Sequence, residues 1–113
     1  SVMTLGEAVF SPGRSQLQPD AIANLDSVIE FVNRDTTRKV RIEGHTDASG
    51  SNNANQVLSQ QRAEAVMAAL AARGVDAGRM TAIGRGEDVP VAPNDSAEGK
   101  ARNRRVEIIL VGK

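Results

Sequence analysis

Asp47 and Arg62 are the two residues of this sequence that most directly indicate a binding site. Asp47 follows residues 40–43, where apolar and charged residues alternate as in a half-buried strand, and Arg62 lies two turns into an Ala-rich helical segment. Turns from a strand to a helix are where α/β sheets tend to bind ligands. An arginine on an apolar helix face keeps its charge and needs an acceptor, which is Asp47, a backbone carbonyl or a ligand anion. The sequence leaves open whether Asp47 and Arg62 form a structural ion pair or a ligand-binding site.

The helix that carries Arg62 has a distinct apolar face. At about 100° per residue from Leu58, the apolar residues fall within an arc of roughly 140°. Arg62 falls inside this arc, whereas Glu64 points elsewhere. The other members of the arc are Ala65, Val66, Ala69 and Leu70, and Asn55 and Ser59 lie close to it. We therefore expect the guanidinium of Arg62 on the buried side of the helix.

Hydrophobic periodicity and turn residues predict the elements that position this turn. Strands are predicted at residues 2–10, 39–45, 80–85 and 105–111. Helices are predicted from Pro19 to residues 33–37, from the turn to Arg73 with Gly74 as its left-handed cap, and over residues 96–102 with Ser96 as the N-cap. The order β-α-β-α-β-(short α)-β predicts an α/β two-layer sandwich, with helices packed on a four-stranded mixed sheet.

Composition narrows the class of protein. With 113 residues, of which 40% are hydrophobic, residues 1–113 are expected to form a single globular domain. Fourteen basic and fourteen acidic residues cancel, which argues against nucleic acid as a partner. No apolar run is long enough for this domain to insert into a membrane. Because the chain opens abruptly at Ser1-Val2-Met3, we expect it to be a domain of a longer exported protein.

The sequence gives little support for a metal site or for catalysis. Glu43, His45 and Asp47 are spaced two apart, but no further His or Cys completes a metal-ligand set. His45 is expected to be a hydrogen-bonded residue at the strand end. This lone histidine near Ser49 is thin support for a hydrolase. We therefore expect no metal, no cofactor and no enzymatic activity.

A basic cluster, Arg102-Asn103-Arg104-Arg105, leads into the last predicted strand. One interpretation is that its side chains form salt bridges and cap backbone carbonyls. The other is that they bind an anionic partner.

Taken together, these motifs resemble a known family over residues 10–108. The residues that carry the resemblance are Gly44-His45-Thr46-Asp47, Gly50, Asn55, Leu58-Ser59, Arg62-Ala63, Val66, Leu70, Gly74, Gly84, Gly86, Pro90, Asn94, Gly99 and Asn103-Arg104-Arg105-Val106. In order and spacing they are similar to the OmpA-like C-terminal domain, which also occurs in the peptidoglycan-associated lipoprotein and in flagellar stator proteins. The resemblance implies a βαβαβ(α)β sandwich, which agrees with the fold predicted from periodicity.

The resemblance also implies non-covalent binding of peptidoglycan in the periplasm of a Gram-negative bacterium, with the parent protein held at the outer membrane. In that family a loop aspartate and a helix arginine bind the diaminopimelate of the stem peptide. The matching positions here are Asp47 for the ammonium and Arg62 for the carboxylate. The further ligand-binding residues that we expect from the resemblance are Thr46, Asn55, Phe10, Ser11, Leu58 and Arg105.

One position departs from the family pattern. Many relatives have Asp or Asn after the aromatic residue that ends the first strand, whereas this chain has Phe10-Ser11-Pro12. Pro12 has no N–H donor, so the rim of the pocket is expected to differ. The alternatives are a periplasmic protein-interaction domain with a structural Asp47–Arg62 pair and, less favoured, a small cell-wall hydrolase. The sequence leaves a homodimer open.

Overall fold

Four strands form one sheet in a computed structural model that describes residues 1–23 and 25–112. The strands are β1 (Val2–Gly6), β2 (Val40–His45), β3 (Met80–Gly84) and β4 (Arg105–Leu110). The helices are α1 (Pro19–Ala23), α2 (Asp26–Val32), α3 (Asn52–Ala72) and α4 (Ala97–Asn103). Short 3-10 helices cover Glu7–Val9 and Ala77–Arg79. Within these described residues, no helix combines the length and hydrophobicity needed to span a bilayer.

The sheet is mixed, as predicted, with strand order β1-β4-β2-β3. Strands β2 and β3 are parallel, whereas β4 is antiparallel to both of its neighbours, β1 and β2. Alternate residues of β4, namely Val106, Ile108 and Leu110, are buried in a core that they share with α2 and α3. The predicted apolar face of the last strand is therefore confirmed, as is the two-layer α/β fold.

Helix α3 lies very close to the sheet. A methyl group added at Gly44 would fall 2.1 Å from the carbonyl oxygen of Ser59, and one added at Gly84 would fall 2.5 Å from the amide nitrogen of Gln60. Only glycine permits this approach of two backbones. At the end of the helix Gly74 has φ of 100°, which confirms the predicted left-handed cap. The close packing holds the start of α3 against the ends of β2 and β3.

The first strand is shorter than predicted. β1 ends at Gly6, which pairs with Arg105, the first residue of β4. Beyond this pair β4 offers no further partner, so the chain turns into the Glu7–Val9 helix, and Phe10 instead forms a bridge with Leu17. The prediction of a strand over residues 2–10 was wrong in its second half.

The first long helix was also predicted wrongly as a continuous element. It is divided into α1 and α2, and the predicted position Asn24 lies outside the described residues. The amide of Leu25 donates to the carbonyl of Ile22, three residues earlier, which is a tighter turn than an α-helix makes. Within the predicted stripe Ile22 is exposed, whereas Leu25, Val28 and Val32 are buried.

Candidate functional site

Asp47 is a buried, ionised carboxylate just beyond the end of β2. Its side chain accepts hydrogen bonds from the Ser49 amide at 2.8 Å and from Nη1 of Arg104 at 2.7 Å. Burial acts to raise the pKa of Asp47, but these two donors outweigh that effect, so the pKa lies below its ordinary value. The residue is 7% exposed. Asp47 therefore presents a fixed negative charge just beyond the carboxyl end of β2.

Arg62 lies on the buried face of α3, as the helical projection predicts, and is 3% exposed. Its Nε donates to the carbonyl of Arg14 at 2.9 Å, and its Nη1 pairs with Oε2 of Glu7 at 3.1 Å. The guanidinium carbon lies 4.8 Å from the centre of the Phe10 ring, a cation–π distance. Its Nη2 is buried and has no hydrogen-bond partner among the described residues.

Two partly exposed residues connect Asp47 to Arg62. Arg104 bonds Asp47 through Nη1 and Oε1 of Glu7 through Nε, the latter at 2.7 Å. The other oxygen of Glu7 meets Arg62. The ion pairs that the structure describes for Asp47 and Arg62 are thus with other residues and not with each other, so the alternative of a direct structural pair is wrong. The site is an alternating chain of charges in the order Asp47, Arg104, Glu7, Arg62.

Strand pairing explains why Glu7 and Arg104 meet. Gly6 of β1 is registered with Arg105 of β4, so the next residue of one strand and the preceding residue of the other lie side by side. Neither Glu7 nor Arg104 was among the site residues predicted from the sequence. Arg104 belongs to the basic cluster that the sequence shows. Glu7 reaches the site only through the pairing register of β1 and β4, which no local sequence pattern predicts.

The basic cluster is divided between two places. Arg105 is buried, and its guanidinium donates to Glu107 at 2.7 Å and to the carbonyls of Val89 and Asn103 at 3.0 and 3.1 Å. With these partners Arg105 has a structural role, which agrees with the interpretation that the cluster forms salt bridges and caps carbonyls. Its expected contact with a ligand stays a prediction, and Arg104 is the member of the cluster that reaches Asp47.

Asn55 and Thr46 hold the loop around Asp47. The side-chain amide of Asn55 donates to the carbonyls of Ser49 and Asp47 at 2.9 and 3.4 Å and to Glu87 at 3.2 Å. The hydroxyl of Thr46 donates to the carbonyl of Asp47 at 2.9 Å. Both residues thus fix the aspartate, and a direct contact of either with a ligand stays a prediction.

The other predicted site residues lie on the Arg62 side. Phe10 is buried under the guanidinium of Arg62. Ser11 has both main-chain groups engaged, because its amide donates to Gln16 and its carbonyl accepts from Arg14. Leu58 is half-buried beside Arg14. A ligand contact by any of these three residues stays a prediction.

An open depression gives access to the chain of charges. Its volume is about 370 Å³, and it is lined by Gly6, Glu7, Ala8, Phe10, Pro12, Ala101 and Arg104. The side chains of Glu7 and Arg104 are 32% and 30% exposed, whereas that of Asp47 is 10% exposed. Arg104 and Glu7, in the middle of the charge chain, are therefore partly exposed to solvent, whereas Asp47 and Arg62 at its ends are buried.

A second charged cluster lies elsewhere on the sheet. Glu43, His45 and Glu107 bring potential metal-ligand atoms within 4.8 Å of one another, with Glu107 in the place expected for Asp47. Both carboxylates, however, already pair with guanidinium groups, namely those of Arg41, Arg85 and Arg105. Three positive charges against two negative charges in this described cluster do not favour a further cation.

His45 itself differs from expectation. It is 2% exposed, and neither ring nitrogen has a hydrogen-bond partner within the described part of the chain. The prediction of a hydrogen-bonded strand-end histidine was therefore wrong. Burial, followed by the charge of Arg105, lowers its pKa, so the ring is neutral at pH 7. The side chain lies among charged neighbours, and its Nε2 is 3.5 Å from Oε1 of Glu43.

Comparison with known proteins identifies the family. The OmpA family model matches residues 9–104, which is most of the chain. The protein belongs to the OmpA family. This OmpA-family domain is 42% identical over 101 residues to the probable lipoprotein YiaD of Escherichia coli, with 89% of this chain and 46% of YiaD covered. It thus spans less than half of that relative's length.

Solved structures of OmpA-like proteins have the same fold. The cell wall anchor of the T6SS from Pseudomonas aeruginosa matches with a TM-score of 0.86 and 36% identity, covering 99% of this chain and 81% of that chain. The peptidoglycan-associated lipoprotein from Burkholderia pseudomallei matches with a TM-score of 0.78 and 30% identity, covering 94% of this chain and 87% of that chain. The sandwich predicted from the sequence is therefore the fold of this family.

Proposed function

We propose that this OmpA-family domain binds peptidoglycan without forming a covalent bond and anchors a longer envelope protein to the cell wall. The ligand is the diaminopimelate of the stem peptide. Its side chain ends in an ammonium and a carboxylate on one carbon. Asp47 binds the ammonium, and Arg62 binds the carboxylate in bidentate fashion.

The observation that carries this proposal is a buried carboxylate and a buried guanidinium at the two ends of a chain of charges whose middle members, Arg104 and Glu7, line an open depression. Asp47 and Arg62 are each held in place by backbone groups, namely the Ser49 amide and the Arg14 carbonyl. Their ionic partners, Arg104 and Glu7, are the exposed members of the chain and line the depression. A zwitterion that enters there and reaches past Arg104 and Glu7 finds one fixed charge of each sign, Asp47 and Arg62, and this complementarity makes the contacts selective.

The relatives support the same ligand class. One similar structure is described as a peptidoglycan-associated lipoprotein and another as a cell wall anchor. By analogy, we place this domain in the periplasm of a Gram-negative bacterium, attached to the outer membrane through the rest of its parent protein. Its role is binding rather than catalysis, because the single histidine of the chain is buried among paired charges.

Co-sedimentation with purified sacculi tests the proposal. The wild type is expected to pellet, whereas Asp47→Asn and Arg62→Ala are each expected to lose binding roughly tenfold or more, because each leaves a buried ligand charge unpaired. Asp95→Asn and Arg34→Ala remove the same charges from exposed positions and serve as matched controls. Thermal melts establish that every variant is folded. If the folded site variants and the controls pellet alike, Asp47 and Arg62 do not form the binding site.

A further inference from the structure

We propose that Glu7 acts as an internal competitor, a carboxylate of the protein itself that occupies the arginines of the site until a ligand carboxylate displaces it. This inference rests on the proposed function and concerns how the same site selects its ligand. Glu7 is then a specificity-determining residue, because only a ligand with its own carboxylate can replace it.

The geometry of Glu7 is that of a bound anion. Its Oε2 lies 3.1 Å from Nη1 of Arg62, and its Oε1 lies 2.7 Å from Nε of Arg104. Each oxygen is thus used by a different guanidinium. These are charge-assisted hydrogen bonds of the kind that a ligand carboxylate makes. A ligand carboxylate and the Glu7 carboxylate therefore cannot both occupy this position.

Glu7 satisfies Arg62 incompletely. It contacts only Nη1, while Nε is engaged by the carbonyl of Arg14 and Nη2 has no partner among the described residues. A planar guanidinium binds a carboxylate best through two parallel hydrogen bonds. A ligand carboxylate that reaches both Nη1 and Nη2 gains a bond that Glu7 does not make. This difference provides the driving force for exchange.

Glu7 also has a route out of the site. Its side chain is 32% exposed, and it lies in a short 3-10 helix, Glu7–Val9, that contains no fully buried residue. Rotation of the side chain into the depression releases both arginines without disturbing the core. Asp47 has no such freedom, because its side chain is 10% exposed and bonded to the Ser49 amide. The two carboxylates of the site thus have different roles: Asp47 is fixed for the ligand ammonium, and Glu7 is exchangeable.

Exchange lowers the affinity for every ligand that must displace Glu7. The affinity for a ligand that lacks the second carboxylate is not lowered, since such a ligand leaves Glu7 in place. Replacing Glu7 should therefore strengthen binding of diaminopimelate and leave binding of a lysine analogue unchanged. A simple structural role for Glu7 predicts the opposite, namely weaker or equal binding of both ligands.

Isothermal titration calorimetry with two soluble tripeptides tests the inference. One tripeptide carries meso-diaminopimelate as its third residue, and the other carries lysine at that place, which lacks the terminal carboxylate. Glu7→Gln is expected to bind the diaminopimelate peptide roughly three- to tenfold more tightly than the wild type, because the variant releases a neutral amide instead of a paired carboxylate. Glu64→Gln removes an equal charge from the exposed face of α3 and is expected to bind like the wild type.

A second variant and a melting experiment protect the test against loss of structure. Glu7→Asp keeps the charge but is one methylene shorter, so it cannot bridge both arginines and is expected to bind the diaminopimelate peptide more tightly as well. Without ligand, both variants are expected to melt below the wild type, and the diaminopimelate peptide is expected to raise their Tm by more than it raises that of the wild type.

The outcomes separate the two proposals. If the wild type binds the diaminopimelate peptide and the folded Glu7 variants bind it equally or less tightly, the competitor role is overturned and the proposed function stands. If neither the wild type nor any Glu7 variant binds it, the proposed function is overturned and the competitor role with it.

Discussion

Arg104 donates a hydrogen bond to Asp47, with 2.7 Å between Nη1 and Oδ2, although 57 positions separate the two residues in the sequence. The bond joins the loop after β2 to the end of α4. Together with the Arg104–Glu7 pair, it ties three distant segments of the chain into one site. The charge of Asp47 is therefore stabilised by the nearby Ser49 amide and by Arg104, a residue that is far from it in the sequence.

Replacing Arg104 should destabilise the domain. Arg104→Ala removes the donor to Oδ2 of Asp47 while the Ser49 amide still donates to Oδ1, and leaving a buried acceptor atom unsatisfied costs about 1–3 kcal/mol. Urea denaturation at pH 7 measures the free energy of unfolding. Arg102→Ala, an exposed neighbour in the same cluster, serves as the control and should change this free energy by less than about 0.5 kcal/mol. Equal effects of the two substitutions would show that the Asp47–Arg104 bond contributes no stability.

Asp47 should make the domain less stable in acid. Its pKa is lower in the folded protein than the ordinary value of 3.8, so the unfolded chain takes up the proton first as the pH falls. The stabilising contribution is complete above that value and is lost as the pH drops through the lower pKa of the folded state. Because Glu43 also has a lowered pKa, the informative quantity is the difference between the wild type and Asp47→Asn.

Denaturation series between pH 7 and pH 3 provide this measurement. The stability of Asp47→Asn should fall less steeply below about pH 4 than that of the wild type, because the variant lacks the titrating group. Parallel curves for the two proteins would contradict the lowered pKa. Asp95→Asn, at an exposed position, should follow the wild type throughout.

His45 should produce a separate loss of stability at milder pH. Its pKa in the folded protein is lowered from 6.5, so below that value the unfolded chain binds a proton that the folded chain resists. Stability should therefore decline as the pH falls from about 7 to 5. His45→Leu should remove this decline and should be as stable as the wild type at pH 7 or more so, because both ring nitrogens are buried and make no hydrogen bond to any described residue.

His45→Asn is the control for the effect of pH. It is polar but does not titrate, so it should also lack the decline between pH 7 and pH 5 while being less stable than His45→Leu at pH 7. A decline of unchanged size in both variants would assign this pH dependence to other groups.

Gly44 should not tolerate even a methyl group. Gly44→Ala places a carbon 2.1 Å from the carbonyl oxygen of Ser59, which belongs to the backbone of α3 and cannot rotate away. We expect a loss of about 3 kcal/mol or more, since the helix must move off the sheet. Gly6→Ala is the matched control and should be nearly neutral, because no atom of the described residues lies within 4 Å of the added methyl group. Thermal melts of the two variants suffice, and equal melting temperatures would contradict the close packing.

Local patterns in the sequence are sufficient to predict several elements of this fold. The two-residue alternation of β4 and the helical spacing of Val66 and Leu70 identify which side chains face the core. The hydroxyl of Ser96 accepts from the Gly99 amide at 3.0 Å, as an N-cap does, so the start of α4 was predictable from residue type. The position of Arg62 on the buried face of α3 followed from the same reasoning.

The partners of the charged side chains, in contrast, depend on contacts between distant parts of the chain. The end of β1 depends on where β4 begins, so it could not be predicted from residues 2–10 alone. The same pairing brings Glu7 beside Arg104 and leaves Asp47 and Arg62 bound to these two residues and not to each other. Helix faces and caps are set by residues within a few positions of one another. The partners of a buried charge are set by strand order and register, which join parts of the chain that carry no local signal for each other.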